Sequence, residues 1–187
     1  MHASIFVGDL ADAEADAICT STNPRLSLVM GTGASVRERG GPEVARACEA
    51  IVAKSGPLPA GSAHATTAGR LGHRIAIHCV ASDATHRSSA EIVRACVRSA
   101  VRIARDAGCA SLAVPVFASG HAHVKFDEAL RAIAEELRGA AFARVVFVVN
   151  DPDRADAART IVRNVLGGDV PIVRSARVEP EPASFWD

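Results

Sequence analysis

TNPRLSLVMGTGASVRERGG, residues 22–41, decides how the chain folds. It leaves a run of strand-forming residues, passes two closely spaced glycines, Gly31 and Gly33, and enters a stretch of helical character. Glycines just before a helix let exposed backbone N–H groups approach a ligand, and the helix adds the positive end of its dipole. An anion is therefore the first suspect, and phosphate is the commonest. The plain alternative is a glycine-containing loop that holds nothing, and these residues alone leave both readings open.

Outward from this junction the same pattern repeats. Short apolar, β-branched runs at residues 4–7, 17–20, 63–67, 74–80, 111–116 and 144–149 are each bounded by Gly, Asp, Asn or Ser and read as strands. Helical patterns lie between them. The clearest covers residues 88–107, where Ser88 and Glu91 form a capping box, Ile92, Val93, Cys96, Val97, Ala100, Val101 and Ala104 make one face, and Gly108 stops the helix. Its arginines, Arg94, Arg98, Arg102 and Arg105, read as a solvated face balanced by acidic helices elsewhere. Residues 126–138 and 153–166 read as two further amphipathic helices. Strand, loop and helix in repetition imply a mostly parallel sheet covered on both faces, with ligands beyond the C-terminal ends of the strands. Three junctions then share one rim: residues 20–33, 117–125 and 150–153. Residues 169–187 read as an extended tail rich in Pro and Glu, with residues 170–173 as an added edge strand.

The bulk numbers narrow the class. A chain of 187 residues is one domain by length and needs no staples. With 21 basic and 21 acidic residues the formal charge is zero, which gives no footprint for nucleic acid or an anionic membrane. The five cysteines, Cys19, Cys48, Cys79, Cys96 and Cys109, are scattered through apolar runs and read as reduced core thiols, so the expected compartment is the cytoplasm. The N-terminal apolar run is too short for a signal peptide, and no segment approaches the ~18 apolar residues of a membrane span.

Two familiar phosphate motifs fail. In GTGASV the third glycine of a dinucleotide fingerprint is Val36, and about ten residues separate the preceding strand from Gly31, where a Rossmann turn follows almost at once. A P-loop needs Gly-Lys-Ser/Thr, and no lysine occurs between Met1 and Ala53.

Six segments in order carry a more specific resemblance: VGDL at residues 7–10, AICTSTNPRL at 17–26, MGTGASVRERGG at 30–41, LPAGSAHATTAGRLGHRIAIHCV at 58–80, PVFASGHAHV at 115–124 and VVND at 148–151. Together they resemble the macrodomain family over residues 5–165. That family carries GD-[IL] after its first strand, a strand ending in NAAN, a glycine-rich loop and helix, a hairpin G-x-A-x-x-T-x-A-G-x-L with I-H-x-V, a second glycine-containing loop, and an acidic residue after the next strand.

The resemblance implies a three-layer α/β/α sandwich with a central mixed, mostly parallel sheet, residues 1–168 being the macrodomain. It implies an ADP-ribose site on the rim. The aspartate of GD, here Asp9, is expected to hydrogen-bond the adenine amino group with the backbone of Leu10 beside it. The last Asn of NAAN, here Asn23, is expected at the distal ribose. The diphosphate is expected on backbone N–H groups of Gly31, Thr32, Gly33, Ala34 and Ser35 and of Ser119, Gly120, His121, Ala122, His123 and Val124. Asn150 and Asp151 complete the expected site. Donors from two sides hold a dianion without lysine or arginine, which suits a neutral chain.

The departures from the family bear on catalysis. Thr20 replaces the first Asn of NAAN; Leu28, Val29 and Met30 replace glycines; Gly33 stands where hydrolysing members commonly carry an acidic or other polar group, and Thr32 where another branch carries lysine. Ala122 replaces an aromatic ring at the distal ribose, and Asn150 replaces the ring that often stacks on adenine. The expected function is binding of ADP-ribose or a mono-ADP-ribosylated protein. The alternatives are an ADP-ribosyl hydrolase acting on a mono-ADP-ribosyl protein or O-acyl-ADP-ribose with an atypical set, Asn23, His121 and His123 being the candidates, and a sensor of another nucleotide. His121 and His123 are half a zinc site without an obvious third ligand, so no metal is expected. No cofactor, nucleic acid or membrane partner is expected either.

Overall fold

The computed structural model describes residues 1–120, 122 and 124–176. The elements run β1 (His2–Val7), β2 (Ala17–Thr22), α1 (Gly31–Gly40), α2 (Pro42–Ser55), β3 (Ala63–Thr66), β4 (Ile75–Val80), α3 (Ala90–Asp106), β5 (Ser111–Pro115), α4 (Phe126–Leu137), β6 (Arg144–Val149), α5 (Ala155–Leu166) and β7 (Ile172–Arg174). Single 3-10 turns, Leu10–Asp12 and Pro152–Arg154, follow β1 and β6.

The strands form one seven-stranded sheet in the order β3-β4-β2-β5-β6-β1-β7. All pairs are parallel except β3 with β4. Strands buried on both faces send successive side chains into two separate cores. Ala17 and Cys19 of β2 and Val145, Phe147 and Val149 of β6 join α3, α4 and α5 in one layer. Ile18, Val146 and Val148 pack on the other face with Leu28, Val36, Val44 and Cys48 from α1, α2 and the loop before them. The result is a three-layer α/β/α sandwich with a mixed, mostly parallel sheet. Among the described residues no helix is long and apolar enough to cross a membrane.

Differences from the sequence reading are local. The α3 cap is Ser89 rather than Ser88: its Oγ accepts from the Ile92 N–H at 3.3 Å. The α3 arginines reach across to α4, Arg94 pairing with Glu135 at 2.6 Å and Arg98 with Glu136 at 3.0 Å. The edge strand is Ile172–Arg174, beside β1. His121, His123 and residues 177–187 lie outside the described residues.

The sheet opens at one place. β2 pairs with β5 only at Ala17 and Ile18, while Cys19 to Thr22 pair with β4 alone and Val114 and Pro115 with β6 alone. Chain direction also divides there, because β2 leads toward β3 and β4 and β5 leads toward β6. Parting strands at a topological switch leave a crevice beyond their C-terminal ends.

Beneath the crevice lies a buried polar column. His78 of β4 is fully buried, its Nδ1 2.8 Å from Thr20 Oγ1 on β2 and its Nε2 2.8 Å from Thr66 Oγ1 on β3. Thr66 donates its hydroxyl proton to the Thr67 carbonyl at 2.9 Å, so it accepts from Nε2–H. The other nitrogen then accepts from Thr20. Burial, with His64 nearby, lowers the His78 pKa to about 4, so the ring is neutral and every polar atom in the column is paired.

Candidate functional site

A cleft of about 650 Å³ occupies the crevice. Its floor and walls come from the ends of β1, β2, β4, β5 and β6 and from the start of α1.

Gly31 makes the entry into α1, with φ 56°, a left-handed conformation that favours glycine. Met30 stands at the N-cap without a side-chain cap, and the first internal bond runs from the Ala34 N–H to the Met30 carbonyl at 3.3 Å. The N–H groups of Gly31, Thr32 and Gly33 thus precede the first helical donor, and no acidic residue occupies that turn. They form a positive helix end at the cleft, where Gly31 and Thr32 line the wall. Opposite stand Ala118, Ser119, Gly120 and Ala122 from the loop after β5. That loop is closed by the Val124 N–H donating to the Ala118 carbonyl at 3.2 Å, with Ala118 itself at φ 58°.

Asn23 sits at the β2 end of the cleft. Its Oδ1 accepts from the N–H groups of Arg25 at 3.0 Å and Ser27 at 3.3 Å, which holds the loop and leaves the side-chain NH₂ as its remaining group, a donor. Asp9 and Leu10 stand at the β1 end, with Asn150 and Asp151 between. The Asp151 carboxylate accepts from the Asp153 N–H at 3.0 Å and from Arg154 Nε at 3.2 Å. Arg154 also lies over the Phe126 ring, 4.8 Å from its centroid. A second cavity of about 640 Å³ shares Phe126 and Arg154 with the cleft but contains none of the α1 donors.

A family model for the macro domain matches residues 19–133. The chain belongs to the macro domain family. A macro domain-containing protein of Streptomyces nogalater is 32% identical over 156 residues, covering 80% of this chain and 85% of that protein. An uncharacterized protein of Mycobacterium tuberculosis is 33% identical over 153 residues, 80% of this chain and 41% of its own length. The chain thus spans about two fifths of the mycobacterial relatives it matches. Among solved structures, a mutant of the Oceanobacillus iheyensis macrodomain with ADPR superimposes with a TM-score of 0.79 at 20% identity, covering 88% of this chain and 93% of that one. The Trypanosoma brucei macrodomain in complex with ADP-ribose gives 0.73 at 21% identity, covering 87% and 68%.

Within this macro domain the cleft gathers Asp9, Leu10, Asn23, Gly31, Thr32, Ser119, Gly120, Ala122, Asn150 and Asp151. Gly33, Ala34, Ser35 and Val124 are not on its wall. Gly33 is buried, and a Cβ there would lie 3.1 Å from Leu28 Cδ2, so its small size serves packing. Ser35 turns its hydroxyl to Asp9. Of residues 31–35, read as a loop of donors, Gly31 and Thr32 line the cleft, at the start of a helix.

His86 and Arg154 also line the cleft and escape sequence reasoning. His86 has φ 60° in a loop organised by Asp83, whose Oδ1 accepts from the N–H groups of Thr85 and Arg87 at 2.8 and 2.9 Å. These hydrogen bonds hold the Asp83 carboxyl below the ordinary Asp range. The available signal is the run Asp83-Ala84-Thr85, an acidic residue placed to make a side-chain turn.

Proposed function

We propose that this macro domain binds ADP-ribose, free or carried on a mono-ADP-ribosylated protein, in the cleft between β2 and β5. The observation that carries the reading is the uncapped start of α1 facing the Ser119–Gly120 loop across a cleft bounded by Asn23 and Asp9. An anion with polar groups on both sides fits that order. The diphosphate lies at the Gly31, Thr32 and Gly33 N–H groups, the distal ribose at the Asn23 amide and the adenine at Asp9. The macrodomains of Oceanobacillus iheyensis and Trypanosoma brucei, which share the fold, have structures with ADPR and ADP-ribose, and this supports the choice of ligand.

Binding rather than cleavage is the favoured activity, because the first turn of α1 offers Gly31, Thr32, Gly33 and Ala34 and thus neither acid nor base. Five buried free cysteines suit a reducing compartment, and the cytoplasm is the proposed location.

Calorimetry with ADP-ribose tests the reading. The wild type should bind, and Asp9→Ala should cost about 1.5–3 kcal/mol by removing a charge-assisted hydrogen bond. Equal affinity for ADP-ribose and ribose 5-phosphate would reject the adenosine half of the assignment.

A further inference from the structure

Asp9 is held by more of the protein than its place in the sequence suggests. Its Oδ1 accepts from the Ala11 N–H at 2.7 Å and from Ser35 Oγ at 2.5 Å, with Arg39 Nη1 3.7 Å away. Arg39 is anchored in turn by Asp12 Oδ1, 2.6 Å from its Nη2, and this hydrogen bond raises the guanidinium pKa above the ordinary Arg value. Ser35 and Arg39 are four residues apart on α1 and so share one helix face. That face meets the 3-10 turn Leu10–Asp12. Oδ2 of Asp9 takes no hydrogen bond from another described residue, and the Asp9 side chain remains 42% exposed at the cleft. One oxygen thus accepts two hydrogen bonds and faces the Arg39 charge, and the other is left as an acceptor at the cleft.

We propose that Ser35 and Arg39 are positioning residues for nucleobase selection: they lock the Asp9 carboxylate so that its free oxygen accepts from an exocyclic amine and repels a carbonyl at the same place. The site then selects adenine over hypoxanthine. This rests on the ADP-ribose reading. A carboxylate with free rotation about its side-chain bonds would offer the same charge but not the same direction, and discrimination between donor and acceptor depends on direction. Neither residue touches the base; both act through Asp9.

The test is calorimetry at neutral pH with two probes, ADP-ribose and its hypoxanthine counterpart inosine diphosphate ribose. The wild type should prefer ADP-ribose by about tenfold or more. Ser35→Ala and Arg39→Gln should each reduce that ratio by about threefold or more, while affinity for the hypoxanthine probe does not fall. Ser35→Thr, which keeps the hydroxyl, should keep the ratio. In an Asp9→Ala background Ser35→Ala should have no further effect, because its only route is gone. An unchanged ratio in Ser35→Ala and Arg39→Gln, or equal losses for both probes, overturns the positioning role while leaving the ADP-ribose reading intact. A wild type that binds neither probe overturns both.

Discussion

Acidification probes the polar column under the cleft without changing a residue. His78 has a pKa of about 4 in the folded chain against 6.5 for an ordinary histidine, the main cause being burial. Between those values the unfolded chain binds a proton that the folded chain refuses, so stability rises with pH through this window. The contribution is complete above pH 6.5 and is lost as the pH falls toward 4. At about 1.4 kcal/mol per pH unit, acidification from about pH 7 to 4.5 should remove about 2.5 kcal/mol. His64, whose pKa is also lowered by burial, adds in the same direction. Urea unfolding across this range should show the decline, and His78→Gln, though less stable at neutral pH, should show a much shallower one. The measurement stops near pH 4.5 because Asp16, held below the ordinary Asp value chiefly by the Ala110 N–H, begins its own loss below that. A wild type whose stability is flat over the window, or a variant with the same slope, would refute the buried neutral imidazole.

At Gly120 a Cβ would meet nothing within 4 Å, so Gly120→Glu should leave the unfolding midpoint unchanged while abolishing ADP-ribose binding by charge; calorimetry showing retained binding would move the diphosphate elsewhere. Gly33→Ala places a Cβ 3.1 Å from Leu28 Cδ2 and 3.3 Å from Leu28 Cα. Overpacking of about 1–3 kcal/mol, offset by about 1 kcal/mol of helix propensity, predicts a net loss of about 1 kcal/mol in urea unfolding, and a stabilised variant would contradict the close contact. Affinity for ADP-ribose should change less than about threefold between low and moderate salt, since fixed backbone dipoles rather than mobile cations hold the anion; a steep dependence would point to the arginines of α3.

Much of this architecture is legible in local pattern. The continuous apolar runs of β4 and β6 announce strands buried on both faces, and the face of α3 follows from its spacing. Where the reading stops short, a long-range partner decides. The second strand reads as ending at Thr20, yet it continues through Ser21 and Thr22 because Cys79 and Val80 of β4 pair with them, which no property of two hydroxyl residues foretells. The helix α2 goes unread although Pro42 at its first turn and Gly56 just past its end are both signals. Ser35 reads as an anion donor because it follows the glycines. Its hydroxyl contact with Asp9 goes unread, because it depends on the rotation of α1, which aims the side chain of the fifth helical residue at the β1 loop. Arg154 and His86 reach the cleft only through the turns that carry them.

On the proposed reading, the two ends of α1 let a formally neutral chain be selective. Its N-terminal N–H groups offer partial positive charge that costs the chain no lysine, and they belong to a helix whose Gly33 lies close against Leu28. One turn further along, the same helix holds Asp9 through Ser35, and a turn beyond that the Arg39 charge is answered by Asp9 and Asp12. The proposed anion donors therefore sit on α1 and the proposed base acceptor is held against it, so that α1 links the two. A ligand must carry its negative charge and its amine at their separation to satisfy both. Strengthening the anion site with a lysine would raise affinity for any phosphate; holding the acceptor against the helix that carries the backbone dipoles favours only those phosphates that bring the right base with them.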